Sequence, residues 1–214
     1  MHARVEDADS FAAATNVSRE TIRRLNLYES ALKLWQPRIN LVASATLADL
    51  WHRHFHDSAQ LLPLVPPEAR SFADLGSGGG FPGLVLAILM AEGPARHFVL
   101  VESDRRKCAF LREVARQCGV PVEILSTRIE NSETQDKLGQ VDVVTARALA
   151  PLERLLGLAA PLFGSETVGL FLKGQGAHAE VEAARAMWAF DAEFVPSVTA
   201  SDANVVVVRR LARR

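Results

Sequence analysis

Cysteine and long apolar runs are both scarce in this sequence. Only two of its 214 residues are cysteine, Cys108 and Cys118, ten positions apart in a stretch that predicts one helix. Ten helical residues rise about 15 Å, too far for a disulfide, so we expect reduced thiols and a cytoplasmic protein. The apolar run over residues 84–91 is too short to span a bilayer. The acidic start "MHARVEDADSF" lacks the basic-then-apolar order of a signal peptide, and we expect no membrane partner.

An excess of charge of either sign is also missing, because the formal net charge is −1. The composition therefore does not indicate a strongly basic nucleic-acid-binding protein. Basic residues are nevertheless grouped in "SRETIRR", "DRRK" and "RRLARR". These three groups can present one phosphate-facing surface only if the fold brings them together; otherwise they are ordinary surface charge.

Two patterns divide the chain. From residue 18 to 35 apolar residues recur at helical spacing, and a second helix is predicted from Thr46 to a proline-rich link. We interpret residues 1–66 as an N-terminal helical extension that packs on the main domain. Over residues 67–214, short β-branched runs alternate with helical segments and end in a predicted antiparallel pair. This order predicts an α/β fold with a doubly wound, mostly parallel sheet of about seven strands, the last one antiparallel.

Glycine is concentrated in one place, the segment "DLGSGGGFPG" from Asp74 to Gly83. It follows the first predicted strand, and open α/β sheets bind their ligands beyond the carboxyl ends of the strands. A turn without Cβ atoms lets backbone N–H groups approach a ligand, and the helix that follows adds a partial positive charge. The segment therefore predicts a nucleotide-binding loop.

Two registers of this loop compete. Gly78, Gly80 and Gly83 fit the dinucleotide pattern G-x-G-x-x-G of NAD(P)-dependent oxidoreductases. Gly76, Gly78 and Gly80 fit G-x-G-x-G and need no insertion after the strand. Glu102 ends the second predicted strand, where an acid can bind ribose hydroxyls in either register. The glycines favour the second register but leave both classes of enzyme open.

Five motifs of the chain occur in a characteristic order: "NLVASATLADLWHRHFHDS", "DLGSGGGFPG", "TRIEN", "ARALAPL" and "LKGQG". Together they closely resemble the bacterial 16S ribosomal RNA (guanine-N7) methyltransferases, the RsmG or GidB family. The resemblance runs from about Asn40 to Gly176. It implies the class I S-adenosylmethionine-dependent methyltransferase fold and methyl transfer to N7 of one guanine in 16S ribosomal RNA. S-adenosyl-L-methionine is then the cofactor, S-adenosyl-L-homocysteine the product, and a small subunit or assembly intermediate the partner.

The resemblance also implies roles for individual residues. Gly76, Gly78 and Gly80 bring the backbone against the methionine part of the cofactor, and Phe81 lies beside it. Glu102 accepts hydrogen bonds from the ribose. The remaining cofactor contacts, to adenine and at the mouth of the site, are expected from Ile129, Glu130 and Arg147.

The expected chemistry needs no general base, because guanine N7 already carries a free lone pair. Catalysis can rest on positioning and on charge stabilisation. We expect these roles of Arg147, which ends the fourth predicted strand, and of Lys173, which ends the fifth. We expect Lys173 to contact a phosphate or guanine O6, so that Lys173→Ala cuts methylation while cofactor affinity stays nearly intact.

The segment "WHRHFHDS" offers two further interpretations. His52 and His56 stand four apart as metal ligands on a helix can, but the intervening glutamate of H-E-x-x-H is missing, and we expect no metal. His54 and Asp57 match the family pattern "RHxxDS". We interpret them as a histidine–carboxylate pair that ties the helical segment to the sheet rather than as catalytic residues.

Two rival functions remain beside the methyltransferase. One is an NAD(P)-dependent oxidoreductase that uses Gly78, Gly80 and Gly83. The other is a non-catalytic, cofactor-binding factor in ribosome assembly. For the oligomeric state we expect a monomer.

Overall fold

Seven strands form one sheet in a computed structural model that describes residues 4–214. The strand order is β3-β2-β1-β4-β5-β7-β6. The strands are β1 Ser71–Leu75, β2 His97–Glu102, β3 Glu123–Ser126, β4 Val141–Arg147, β5 Phe163–Lys173, β6 Trp188–Pro196 and β7 Asn204–Arg213. The helices are α1 Ala8–Thr15, α2 Arg19–Trp35, α3 Asp57–Ala59, α4 Gly83–Leu89, α5 Arg105–Cys118, α6 Ser132–Leu138, α7 Leu152–Ala159 and α8 Ala177–Ala184.

The first five strands run parallel, and β7 lies antiparallel to both β5 and β6. The predicted α/β fold with an antiparallel last strand is therefore confirmed. Successive residues of a strand point to opposite faces of the sheet. Phe72 belongs to the core on the side of α2, α4 and α5, whereas Ala73 belongs to the core on the side of α7 and α8. The sheet is thus buried on both faces, as its apolar strands require.

The N-terminal helices share a core with the sheet. Ser18 caps α2, since its side chain accepts a hydrogen bond from the Thr21 amide, and the predicted helix over 18–35 is confirmed. Leu25 and Tyr28 of α2 are completely buried in the same apolar cluster as Leu84 and Phe110 of α4 and α5. The boundary at residue 66 stays a prediction, because a shared core does not show which part folds alone.

The second predicted helix is less regular than its pattern indicates. It begins as a 3-10 turn over Ser44–Asp49, widens to a π turn over Trp51–His56 and becomes α-helical at Asp57–Ala59. His54, Phe55 and His56 are all buried although they are consecutive. An α-helix would spread three successive side chains over about 200°. The irregular turns let the segment bury side chains that one face of a regular helix cannot hold.

The three basic groups do not form one surface. The group on α2 lies near the C-terminal end of α5, where Cys118 Sγ donates to the Arg24 carbonyl at 3.3 Å. The group "DRRK" opens α5 at its other end, and "RRLARR" lies on β7 across the sheet. The phosphate-facing surface that would need all three is therefore not present. In residues 4–214 no helix has both the length and the apolar character that crossing a membrane requires.

Candidate active site

A cavity of about 950 Å³ opens at the carboxyl ends of β1, β2, β4 and β5. This is where the topology of an open α/β sheet places a ligand, since the strand order turns from β1 to β4 there. The cavity is lined by all but one of the site residues expected from the sequence: Gly76, Gly78, Phe81, Glu102, Ile129, Glu130, Arg147 and Lys173. Gly80 lies just behind them, buried beneath the loop.

The glycine loop has a backbone that side chains rarely adopt. Gly76, Gly78 and Gly80 have φ angles of 67°, 56° and 95°. The Gly76 and Ser77 amides both donate to the Val101 carbonyl, at 2.9 and 3.1 Å, which fixes the loop to the end of β2. From below, the Tyr28 hydroxyl of α2 donates to the Gly79 carbonyl. The loop is therefore held from the sheet and from the N-terminal helices at once.

The structure requires glycine at position 83 for packing, independently of any ligand. A Cβ at this position would lie 2.7 Å from Oδ2 of Asp74, so the helix α4 could not approach β1. Asp74 is buried, its Oδ1 accepts from Thr145 Oγ1 at 2.6 Å, and burial raises the pKa of its carboxyl. The glycine that completes G-x-G-x-x-G is thus explained by packing against Asp74.

Glu102 closes the loop on the side of β2. It is buried, and its two carboxylate oxygens accept from the Gly78 amide at 2.9 Å and from the Asp104 amide at 2.7 Å. A carboxylate has about four acceptor positions, so two remain for donors in the cavity. The expected role toward ribose hydroxyls fits this arrangement.

Arg147 lies across the cavity from Glu102. Its guanidinium carbon stands 4.9 Å from the centre of the Phe81 ring, whose other face stacks on Tyr28 at 5.3 Å. Its N–H groups reach the Arg53 carbonyl at 3.1 Å and Asp57 Oδ2 at 3.4 Å. Arg147 therefore joins β4 to the segment that precedes the sheet.

His54 accepts the third bond of Arg147. The Thr46 hydroxyl donates to the Ala43 carbonyl at 2.8 Å, so toward His54 Nε2, also at 2.8 Å, it must accept. Nε2 then carries the proton, and Nδ1 is free to accept from the Arg147 guanidinium at 2.7 Å. Burial and the charges of Arg147 and Arg53 lower the pKa of His54 to about 3. The ring is a neutral acceptor at physiological pH.

The expected direct pair of His54 and Asp57 is not observed, because Arg147 stands between them. Asp57 Oδ1 accepts from the Thr199 hydroxyl at 2.5 Å and from Gln60 Nε2 at 2.8 Å. Both residues do tie the helical segment to the sheet, as predicted, but they do so through the cation and the β6–β7 loop. Thr46, Thr199 and Tyr28 were not foreseen, since a single hydroxyl in a sequence carries no signal of its partner.

The residues expected at the adenine differ from each other in burial. Ile129 is buried at the cavity wall, whereas Glu130 is exposed and pairs with Arg154 at 3.2 Å. An apolar wall beside a partly open polar edge is compatible with a purine ring. The adenine contact expected of Ile129 and of the Glu130 backbone stays a prediction.

Lys173 is more enclosed than the sequence suggests. Its side chain is 9% exposed, and its ammonium donates to the Ala150 carbonyl at 2.6 Å and to Glu180 Oε2 at 2.8 Å. Two of its three N–H groups are therefore used within the protein. The expected contact with a phosphate or guanine O6 has only the third N–H available unless these bonds break.

The two histidines of the metal hypothesis lie close together in the π turn. The ring centroids of His52 and His56 are 5.8 Å apart, and the Val5 amide donates to His52 Nδ1 at 3.4 Å. Over the part of the chain that the structure describes, no group of three or more His, Cys, Asp or Glu side chains could hold a metal ion.

Comparison with known proteins identifies the family. The family model described as "GidB: rRNA small subunit methyltransferase G" matches residues 21–209. The ribosomal RNA small subunit methyltransferase G of Parvibaculum lavamentivorans is 58% identical over 97% of this chain and 91% of its own length. The protein of the same name from Paramagnetospirillum magneticum is 53% identical over 93% of both chains.

Solved structures agree on the fold. The SAH-bound methyltransferase PaMTH1 of Podospora anserina superposes with a TM-score of 0.62 at 13% identity, covering 98% of this chain and 97% of that one. Precorrin-6y C5,15-methyltransferase from Geobacter metallireducens superposes with a TM-score of 0.53 at 13% identity, covering 79% and 90%. The seven-stranded sheet, the cavity at its carboxyl edge and the nearly full-length match together show that this chain belongs to the GidB family, the rRNA small subunit methyltransferases G.

Proposed function

We propose that this protein transfers the methyl group of S-adenosyl-L-methionine to N7 of a guanine in the 16S ribosomal RNA of the small subunit. The observation that carries the proposal is one cavity that combines a left-handed glycine loop, a buried carboxylate and several cations. The family to which the chain belongs supports the same reaction class. An oxidoreductase is disfavoured, because Gly83 is explained by packing and the family is one of methyltransferases.

The residues of the cavity fit the cofactor. Gly78 leaves the backbone bare at the mouth of β1, where the aminoacyl part can lie against it, while Gly76 lies under the Leu149 side chain. Glu102 keeps two acceptor positions for the ribose hydroxyls. Ile129 supplies an apolar surface for the adenine beside the Glu130 backbone. Phe81 and Arg147 close the side that faces β4.

The bound cofactor supplies an electrophilic methyl group on a sulfonium, and the residues of this chain orient the partners. Guanine N7 offers a lone pair, so no proton has to leave before the methyl is transferred. His54 is a neutral acceptor that is already bonded to Arg147, and Asp57 accepts from three donors. Neither is poised as a base, which agrees with a reaction that rests on positioning and electrostatics.

The mouth of the cavity suits an anionic substrate. Arg53 and Arg128 are exposed there, and Lys107 is half-buried beside them. Phosphate contacts by such residues supply much of the affinity for nucleic acids. Because the net charge of the chain is only −1, we infer that shape contacts with a folded small subunit or assembly intermediate add to this affinity. We propose that the protein acts as a monomer in the cytoplasm.

The proposal is tested by nucleoside analysis of 16S ribosomal RNA. RNA from cells that lack the protein should lose one 7-methylguanosine, and purified protein with the cofactor should restore it on isolated small subunits. Unchanged 7-methylguanosine would favour the non-catalytic assembly factor, and a different methylated nucleoside would refute N7. Calorimetric titration with S-adenosylmethionine and with NAD separates the oxidoreductase, since only the first should bind.

A further inference from the structure

We propose that Glu180 is a positioning residue of the active site and that Lys173 acts through it. Together they hold the loop of residues 148–151 against the glycine loop of residues 76–80, here called the cofactor-binding loop. The inference deepens the proposed methyl transfer and rests on it for its catalytic readout. It concerns a glutamate on α8 that no motif considered above singles out.

Glu180 joins three elements through one oxygen. Its Oε2 accepts from the Lys173 ammonium at 2.8 Å and from the Leu152 amide at 2.7 Å. Leu152 is the first residue of α7, and Lys173 is the last residue of β5. The same ammonium donates to the Ala150 carbonyl at 2.6 Å. Lys173 and Glu180 therefore hold the loop between β4 and α7 at two points, the Ala150 carbonyl and the Leu152 amide.

This loop has a conformation that needs such support. Ala148 follows β4 with a φ of 51°, in the left-handed region that residues with a Cβ rarely adopt. A strained backbone conformation persists where contacts from the surrounding structure hold it in place, and such conformations are frequent at functional sites. Ala148 is exposed, so core packing does not hold it. The bonds of Lys173 and Glu180 hold the residues that follow it, Ala150 and Leu152.

The loop also touches the cofactor-binding loop directly. A Cβ built on Gly76 would lie 2.6 Å from Cδ1 of Leu149, which places the Leu149 side chain over that glycine. Leu149 and Ala150 both line the cavity on the side of Lys173. In the proposed reaction the cofactor's adenine lies near Ile129, and the acceptor base enters on the opposite side of the cavity, beside this loop. The position of the loop therefore sets the distance between the acceptor and the cofactor.

A direct role of Lys173 toward RNA makes a different prediction. If the ammonium contacts a phosphate or guanine O6, removal of Glu180 frees that cation and methylation continues. If the pair positions the loop, removal of either partner lowers the rate of methyl transfer, and removal of both adds nothing further. The two roles are thus separated by the behaviour of Glu180.

The experiment compares wild type, Lys173→Met, Glu180→Leu and the double variant. The control is Glu182→Leu on the same helix, where the exposed Glu182 pairs with the neighbouring Arg185 at 3.4 Å. Methyl transfer to isolated small subunits gives kcat and KM, and calorimetry gives Kd for S-adenosylmethionine. We expect each single variant to lose roughly 10- to 100-fold in kcat, as a displaced reacting geometry does. KM and Kd should stay within about threefold, and the double variant should equal the slower single one.

Two kinetic outcomes overturn the proposal: a Glu180→Leu variant that keeps kcat within twofold of wild type, or losses that multiply in the double variant. The double variant guards against misfolding, because it removes both charges of the pair together and leaves neither of them unpaired. Hydrogen exchange at residues 148–152 gives a readout besides activity, and Glu180→Leu should accelerate it. Faster exchange in Glu180→Leu, combined with a wild-type protein that methylates no ribosomal RNA, would refute the proposed function alone. Unchanged exchange in Glu180→Leu would refute the positioning role.

Discussion

Single residues at this site are defined by bonds within the protein before any ligand is considered. Glu102 has two backbone donors, and His54 is fixed in one tautomer by Thr46 and Arg147. A buried polar group that keeps its partners is held in place without further reorganisation. The consequence is a preorganised cavity whose response to substitution can be stated residue by residue.

Gly78 tests the bare backbone of the cofactor-binding loop. Gly78→Ala meets no protein atom closer than the Gly76 carbonyl oxygen at 3.8 Å, so its cost to folding is the left-handed φ of 56°, roughly 1–2 kcal/mol. In the proposed binding mode, however, the new methyl group stands where the cofactor approaches the backbone. We expect Kd for S-adenosylmethionine to rise by about tenfold or more, which is about 1.4 kcal/mol.

Gly119→Ala is the matched control for Gly78→Ala. Gly119 has a φ of 62° at the end of α5, and a Cβ there also meets nothing within 4 Å. Both variants should lose similar stability in urea unfolding, while calorimetry shows weaker cofactor binding for Gly78→Ala alone. Equal Kd values for the two variants would show that the loop does not carry the cofactor.

His54 predicts a pH dependence of stability. Its pKa is about 3 in the folded protein and 6.5 without the fold's influence. Between these values only the unfolded chain binds the proton, so stability falls as the pH drops below 6.5, by at most about 1.4 kcal/mol per pH unit. His54→Asn keeps an acceptor for Arg147 but cannot titrate. Urea unfolding at pH 7 and pH 5 should show a smaller loss for this variant than for wild type, and parallel losses would contradict the neutral state of His54.

At the scale of elements, regular periodicity determines what the sequence can predict. The helix over residues 18–35 and the alternation of strands with helices follow from apolar spacing, and the structure confirms both. The segment 44–59 does not follow its pattern, because long-range bonds of Arg147 and Thr199 shape it. The spacing of apolar residues predicts which face of a segment is buried, but it does not predict which distant polar group will form a hydrogen bond with that segment.

The same limit applies to the candidate site. Glu102 and the glycines were predictable, since a strand end and a glycine loop bring them together in any fold of this class. The partners of Lys173 were not predictable, because Ala150 lies in the loop before α7 and Glu180 lies on α8. Sequence motifs located the cavity, and only the packed structure shows which of its charges are already paired.

Tyr28 tests whether α2 supports the cofactor-binding loop. Tyr28→Phe keeps the ring stacked on Phe81 but leaves the buried Gly79 carbonyl without its donor, at a cost of roughly 1–3 kcal/mol. We expect a lower free energy of unfolding in urea and weaker binding of S-adenosylmethionine by calorimetry. Ser30→Ala on the same helix removes only an exposed bond to the Asn26 carbonyl and should change neither. Unchanged cofactor affinity in Tyr28→Phe would show that α2 serves folding alone.

At the scale of the whole molecule, charge is distributed rather than accumulated. Acidic and basic residues nearly balance, and most basic residues outside the cavity pair with neighbours, as Arg23 does with Glu20 at 2.7 Å. At the cavity mouth Arg53 and Arg128 are exposed and form no ion pair with a carboxylate within residues 4–214. In the proposed reaction the exposed cations that line the cavity can contact phosphate groups of RNA, although unpaired cations such as Arg213 also lie elsewhere on the surface.

The variants Arg128→Ala and Arg213→Ala test whether the position of a cation, rather than the net charge, determines the affinity for RNA. Both are exposed, and neither has a carboxylate within ion-pair distance among the described residues, but Arg128 lines the cavity whereas Arg213 ends β7 opposite Trp188. If the cavity mouth receives the phosphates, Arg128→Ala should raise KM for small subunits and reduce its dependence on salt by about one counterion. Arg213→Ala removes the same charge and should leave both unchanged. KM for isolated small subunits is measured between about 50 and 200 mM salt, a range over which phosphate contacts weaken strongly. This gives the salt dependence of KM for each variant. Equal salt dependence in the two variants would mean that the net charge, rather than the position of the charge, attracts the RNA.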